Sequence, residues 1–287
     1  MREVQREGVL NAIQRMRLER PILDTRPMRI PEAGALEIRM LTWRRDWISA
    51  VWALKSFFHA CGQTYPLYIH DGGLDASHAE QMMQHFPGAK FVGRDDGDRQ
   101  VVGELRRRGF DRSASYRQRN GTVRKLFDFF LMSQADALIT IDSDIVFFRR
   151  PDELIDIAPP GAFNRFNRDT SYWYSMTLDE LEHEFGIRPQ PRINTGLSHV
   201  RREAIDFRMI DEWLKHPKLY EDTWVTEQTL AALCVTRDGF QFLPDSYEVG
   251  AESELKSSTI CRHYAGKFRP MLYREGMTEV RKRGIVQ

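Results

Sequence analysis

The sequence predicts an α/β fold, a mostly parallel sheet with helices on both faces. Three observations carry this expectation. Short runs of β-forming residues recur at 35–42, 66–70, 89–92 and 137–141. Stretches of helical period lie between them, and such alternation builds crossover-linked parallel sheets. The run 137–141 (ALITI) has the continuous β-former pattern of a strand buried on both faces.

The elements follow in order. Residues 1–34 are basic and weakly patterned. Val4, Val9, Ile13 and Met16 make a thin apolar stripe, with Arg2, Arg6, Arg15, Arg17 and Arg20 elsewhere. This predicts a helix packed on the domain or on a partner; docking on a membrane surface is the alternative. Residues 35–42 (ALEIRMLT) read as a strand. Asp46 is placed to cap a helix over 46–60 that buries Val51, Leu54 and Phe58. Residues 66–70 (PLYIH) are a strand stopped by Asp71-Gly72-Gly73, a turn signal. A helix over 75–86, with Ala79, Met82, Met83 and Phe86 inward, precedes a third strand at 89–92.

Residues 94–120 read as polar and irregular. Val123, Leu126, Phe127, Phe130 and Leu131 then mark an amphipathic helix before the strand at 137–141. Further on, the pattern predicts strands at 161–166 and within 192–200, and an aromatic loop at 169–176. Helices are predicted at 177–185, where Thr177 and Glu180 have capping-box spacing, and at 204–214 and 225–235.

Composition narrows the classes. A chain of 287 residues, 41% hydrophobic and 29% charged, is a folded globular protein rather than a disordered, collagen-like or coiled-coil one. Forty-two basic residues against 41 acidic ones leave no overall nucleic-acid footprint. No apolar run approaches the ~20 residues of a membrane helix, and residues 1–7 lack the apolar region of a secretory signal. Cys61, Cys234 and Cys261 have no C-x-x-C spacing, which excludes a disulfide framework and a cysteine zinc site. A cytoplasmic location is the expectation.

Five constellations can carry chemistry. Asp142-Ser143-Asp144 directly follows the strand 137–141. Buried carboxylates need something to neutralise them, and ligands bind at the carboxyl ends of parallel strands. Alternation along an extended segment would put Asp142 and Asp144 on one side, as hard oxygen ligands for Mg²⁺ or Mn²⁺; the bland alternative is an exposed turn. His263, in CRHYAGKFRP, is either a nitrogen ligand to the same metal or a packing residue. Beside it, Gly266 permits close backbone approach and Lys267 offers a charge for phosphate. Asn194-Thr195-Gly196 is a turn, or an amide set to bond hydroxyls. Glu227-Gln228 opens a helix, as dipole chemistry or as a grip on a sugar. The basic stretch 94–125 is a solvated face or a flap over an anionic diphosphate, with Arg124 or Lys125 reaching the phosphates. Tyr172-Trp173-Tyr174 is either core or a platform for an acceptor sugar.

The order of these features resembles the GT-A glycosyltransferases, and among them the retaining galactosyltransferase and glycogenin group, glycosyltransferase family 8. Lys125, Asp142-Ser143-Asp144, Asn194-Thr195-Gly196, Glu227-Gln228 and His263-Tyr264-Ala265-Gly266-Lys267-Phe268-Arg269-Pro270 match its elements in sequence over about residues 35–272. Two positions depart: Glu227 stands where the family usually has Asp, and Arg269-Pro270-Met271 where it has Lys-Pro-Trp.

The resemblance implies a GT-A sheet with the D-x-D at a strand end. Residues 1–34 would be a basic helical extension. Residues 35–287 would form one domain: a nucleotide-binding half (35–150), a sugar and acceptor half (151–275) and a tail (276–287). Asp142, Asp144 and His263 would hold Mn²⁺ or Mg²⁺. Ser143, Lys125, Gly266 and Lys267 would serve the donor diphosphate, and Thr42, Trp43 and Asp71 the nucleoside. Asn194, Glu227 and Gln228 would surround the transferred sugar. The implied donor is a nucleotide sugar, with UDP the expected nucleotide, and the acceptor is a saccharide or another hydroxyl. Transfer with retention is expected; an inverting enzyme would make Glu227 the first candidate base. Two other readings compete. One is a haloacid-dehalogenase-type phosphatase with Asp142 as nucleophile, which needs a later acid pair. The other is a non-catalytic sugar-nucleotide-binding protein.

Overall fold

The computed structural model describes residues 9–156, 164–222 and 224–284, with side chains from residue 12 onward. Its strands are β1 (Leu36–Thr42), β2 (Leu67–Asp71), β3 (Lys90–Val92), β4 (Ala137–Ile141), β5 (Ile145–Phe147), β6 (Asn164–Arg168), β7 (Ile193–Arg201), β8 (Phe240–Phe242), β9 (Tyr247–Val249) and β10 (Cys261–His263). Seven of them form one sheet in the order β3-β2-β1-β4-β7-β6-β8, and β5-β10-β9 form a second, small sheet. β1 runs parallel to β2 and β4, β2 to β3, and β6 to β8. β7 is antiparallel to both its neighbours. The sheet is therefore mostly parallel, as expected.

Period-two alternation sorts the sheet's side chains onto two faces. Ile38, Met40, Ile139 and Ile141 pack with the helix Trp47–Cys61, while Leu41, Leu138 and Val200 pack with the helices Arg124–Leu131 and Thr226–Asp238. Val51, Leu54 and Phe58 are buried on the first helix, and Val123, Leu126, Phe127 and Phe130 on the second face. Thr177 and Glu180 close the expected capping box at the start of Leu178–Phe185.

Several expectations change. Asp46 precedes the helix Trp47–Cys61 but its side chain caps nothing; Arg269 Nη1 bonds it instead at 2.6 Å. Residues 94–119 are largely helical rather than irregular. Arg117, buried there, makes a bidentate bond to Asp128 at 2.5 and 2.7 Å and an ion pair with Asp98 at 2.8 Å. A segment anchored by a buried, paired guanidinium is not a free flap. Strands β5, β8 and β9 are too short to leave a periodic signal.

The expected strand at 161–166 lies partly outside the described residues; its described part belongs to β6. In the N-terminal segment, Val4, Arg2, Arg6 and the side chain of Val9 lie outside them, as do residues 285–287 of the tail. The helix Val9–Glu19 packs on the domain, but Ile13 and Met16 face solvent. The stripe is too thin to bury. The segment docks through Ala12 and Ile22, through Trp52 Nε1 donating to the Glu19 carbonyl, and through Lys55 donating to the Arg26 carbonyl.

Candidate active site

The site is assembled where the large sheet meets the small one. β4 ends at Ile141, and Asp142-Ser143-Asp144 turns the chain into β5. The Asp142 amide donates to the Gly196 carbonyl at 2.8 Å, tying the turn to β7. β10 pairs antiparallel with β5, His263 opposite Ile145, and the Tyr264 amide donates to the Asp144 carbonyl at 2.9 Å. The two acids thus converge through a turn, not through extended alternation. One ligand atom each of Asp142, Asp144 and His263 lies within 4.8 Å of the others. His263 Nε2 stands 3.0 Å from Asp144 Oδ1 and 4.0 Å from Asp142 Oδ2.

Cations surround the acids. Lys125 Nζ lies 2.7 Å from Asp142 Oδ1, and Arg269 Nε lies 3.2 Å from Asp144 Oδ2. Burial works against the Asp144 carboxylate, but His263 and Arg269 outweigh it and hold its pKa well below the usual range. Burial likewise opposes the charged forms of His263 and Lys125. The carboxylates of Asp144 and Asp142 raise the first, and those of Asp142 and Glu227 raise the second. Two carboxylates and an imidazole, with one buried acid kept ionised, suit a hard divalent cation.

Asn194, Thr195 and Gly196 lie where β7 bulges: Phe166 pairs with Ser198 and Asn167 with Asn194, leaving residues 195–197 without partners on β6. Asn194 Nδ2 donates to Asp169 Oδ2 at 2.7 Å, and its Oδ1 accepts from the Gly196 amide at 3.0 Å. Thr195 Oγ1 donates to Glu227 Oε2 at 2.9 Å. Burial raises the pKa of Glu227, against the pull of Lys125 and Thr195. The Gln228 amide is engaged at both ends: Oε1 accepts from the Thr195 amide at 3.3 Å, and Nε2 donates to the Trp173 carbonyl at 2.9 Å.

Lys125, Asp142, Asp144, Asn194, Thr195, Gly196, Glu227 and Gln228 line one cavity of about 750 Å³, together with Trp43, Ser143, Asp169, Trp173, Trp224, Gly266, Lys267 and Arg269. Trp43 is boxed between two backbones: a Cβ on Gly72 would stand 2.6 Å from its ring, and one on Gly121 2.9 Å. Gly266 has φ +56°, a left-handed conformation that favours glycine.

Three expected donor residues sit differently. Thr42 is fully buried and does not line the cavity. Asp71 does not line it either; its Oδ1 accepts from the amides of Gly73 and Leu74 and closes its own turn. Lys267 lies at the rim, 76% exposed and 3.4 Å from Glu252. From the C-terminal motif it is Arg269, not Lys267, that joins Lys125 at the acids. Sequence reasoning left Arg269, Asp46, Asp169 and Trp224 out of the site. Arg269 carried a signal, since it occupies the basic position of the C-terminal motif.

No protein-family profile matches this sequence. No curated protein matches it by sequence. Solved structures do resemble it. The galactosyltransferase LgtC, in complex with donor and acceptor sugar analogs, aligns over 88% of this chain and 96% of its own with TM-score 0.56 and 10% identity. Mouse xyloside xylosyltransferase 1, in its apo form, aligns over 81% and 97% with TM-score 0.52 and 13% identity. The bifunctional glycosyltransferase WbbM aligns over 91% of this chain and 52% of its own, with TM-score 0.53 and 12% identity. At such identities the likeness is one of fold. The chain has the GT-A fold of these glycosyltransferases, with its acid pair beside a strand end of the sheet.

Proposed function

We propose that this protein is a metal-dependent glycosyltransferase that moves a sugar from a nucleoside-diphosphate sugar, with UDP the first candidate nucleotide, to an acceptor hydroxyl with retention. The observation that carries this is the convergence of two chain segments: Asp142 and Asp144, from the β4–β5 turn at the wall of the large cavity, meet His263 from β10. Those three residues would hold Mn²⁺ or Mg²⁺. When bound, the ion supplies charge stabilisation for a departing diphosphate.

The chain's own residues do the rest. Arg269 and Lys125 bring fixed positive charge to the diphosphate, and no reorganisation is needed as negative charge develops there. Asp46 orients Arg269 from behind. Asn194, held by Asp169, presents its amide to sugar hydroxyls. Glu227 lies deeper, bonded to Thr195 and near Lys125. It shapes the sugar pocket, and burial keeps its pKa raised. For retention, the departing phosphate takes the acceptor proton, so no further base is required of the protein.

The phosphatase reading lacks its later acid pair: the candidates, Asp238 and Asp245, are single acids and neither lines the cavity, and Asp238 is committed to Arg201 and Asn164. A thermal-shift panel of nucleoside diphosphates with and without Mn²⁺ tests the proposal, because a ligand of the folded state raises apparent stability. A shift that needs both nucleotide and Mn²⁺ is expected; a panel with no such shift contradicts it. Nucleotide binding without sugar release would favour the non-catalytic reading.

A further inference from the structure

We propose that Trp173 and Trp224 form the acceptor subsite and that it takes a pyranoside sugar. The inference rests on the glycosyl-transfer reading above and names the substrate class that the reading leaves open. Both indoles are exposed, Trp173 by 44% and Trp224 by 73%. Their centroids lie 5.5 Å apart with the rings tilted by 44°. Both line the cavity that holds Asp142 and Asp144.

Exposed indoles in a cavity wall present apolar π-faces that a ligand covers. The other two rings of the aromatic loop do not line this cavity. Tyr174 is buried and donates its hydroxyl to the Gln190 carbonyl at 2.7 Å, while Tyr172, partly exposed elsewhere, donates its hydroxyl to the Met176 carbonyl.

The pair is held from behind. The Trp173 carbonyl accepts from Gln228 at 2.9 Å, and the Trp224 amide donates to Asp222 Oδ1 at 2.7 Å. These bonds fix the backbone that carries each ring, which reduces the ordering cost of binding.

The surroundings select the ligand chemistry. Asp169 and Glu252 line the same cavity and offer acceptors for hydroxyl groups. A pyranoside has one C–H face for the indoles and a rim of hydroxyls for these carboxylates. A lipid chain would cover the acceptor positions that Asn194 and Lys267 leave open on these carboxylates and offer them no donor. Trp43, the cavity's other indole, stands beyond β1 and is boxed by glycine backbones, so it belongs to the donor's side.

The test is glycan-array binding by the fluorescently labelled full chain in Mn²⁺ with UDP, GDP or ADP, run for the wild type, Trp173→Leu, Trp224→Leu and Trp224→Phe. The wild type is expected to bind a set of pyranoside-terminated glycans. Each leucine variant should weaken that binding by about tenfold or more, the loss of roughly one stacking contact. Trp224→Phe, which keeps a ring, should recover much of it. A nucleotide–Mn²⁺ thermal shift on each protein reports the donor site and folding separately. If the shift is present and no glycan binds, or if the leucine variants bind as the wild type does, the pyranoside subsite is overturned. If the wild type shows no nucleotide–Mn²⁺ shift, the glycosyl-transfer reading falls, and the subsite with it.

Discussion

The imidazole of His263 lies against the Cα of Gly196: a Cβ there would stand 2.3 Å from His263 Cε1 and 2.8 Å from Nδ1. Gly196 is therefore a clearance for a metal-ligand candidate and not merely a turn residue. Gly196→Ala must displace the imidazole from the position that sets its Nε2 3.0 Å from Asp144 Oδ1. Outer-shell changes that misplace a ligand typically cost about 10–100-fold in metal affinity. Isothermal titration of Mn²⁺ into the wild type and Gly196→Ala should show a loss of that size, with the far-ultraviolet spectrum retained. Equal affinity would mean that His263 is not a ligand.

Arg269 and Lys267 give opposite expectations. Arg269 reaches Asp144 and Asp46, whereas Lys267 is a rim residue near Glu252. Charged hydrogen bonds are worth about 1.5–3 kcal/mol, so Arg269→Ala should weaken nucleoside-diphosphate binding by roughly 10–100-fold. Lys267→Ala should change it by no more than about threefold, in line with a screened surface charge. Competition binding with both variants decides, and the reverse order would restore Lys267 as the diphosphate contact.

Gln228 holds the aromatic loop to β7 through both ends of its amide. Gln228→Ala should release Trp173 and lower saccharide-dependent turnover more than hydrolysis of the donor by water. Measuring both rates on one preparation tests this. An equal fall in both would place Gln228 on the donor sugar itself, the role the sequence motif implies.

Buried neutral histidines set a pH dependence of stability. Burial, with the Arg39, Arg117 and Arg124 cations, holds the His70 pKa well below its ordinary value. Burial, with Lys55, lowers His85 to about 4, and burial also lowers His199. Each folded value is depressed, so the unfolded chain binds the extra proton. Stability from these groups is complete above about 6.5 and is lost as pH falls towards the folded values. For His70 the slope is about 1.4 kcal/mol per pH unit below 6.5. Urea unfolding from pH 5 to 7 should show falling stability on acidification and a flatter slope in His70→Gln, whose amide can still accept from Arg39. An unchanged slope would mean that His70 is protonated in the fold.

The buried ion pair of Arg117 with Asp128 gives a stability test. Arg117→Ala leaves a carboxylate buried without its partner, a change that typically costs about 3–5 kcal/mol. Denaturant unfolding at neutral pH should show a loss of that order. A change under about 1 kcal/mol would mean that Asp98 and Asp128 are solvated, and would reopen the flap reading of this segment.

What the sequence made legible follows from range. Helices with a clear apolar face, such as Arg124–Leu131, and the strand β4 were readable because their pattern is local. The grouping of Asp142, Asp144 and His263 was legible only through the order of several motifs, since D-x-D alone is common, and the turn that brings Asp142 and Asp144 together was not legible. Arg269 with Asp46 is a contact across 223 positions, and no local pattern announces it; Asp46 had a plausible local role as a cap. Arg117 looked like surface charge because its partner Asp128 sits on the hidden face of another helix. Trp224 stood outside the aromatic run, and only folding sets it beside Trp173. Gly196 had a turn as its simple explanation until the fold laid His263 against it.

The most direct measurement is release of nucleoside diphosphate from a panel of nucleotide sugars, with and without Mn²⁺, by the wild type and Asp144→Ala. The account predicts release by the wild type that requires Mn²⁺ and is lost in Asp144→Ala while the variant remains folded. Release that is indifferent to Asp144, or none from any nucleotide sugar with Mn²⁺ and a saccharide mixture present, would contradict it.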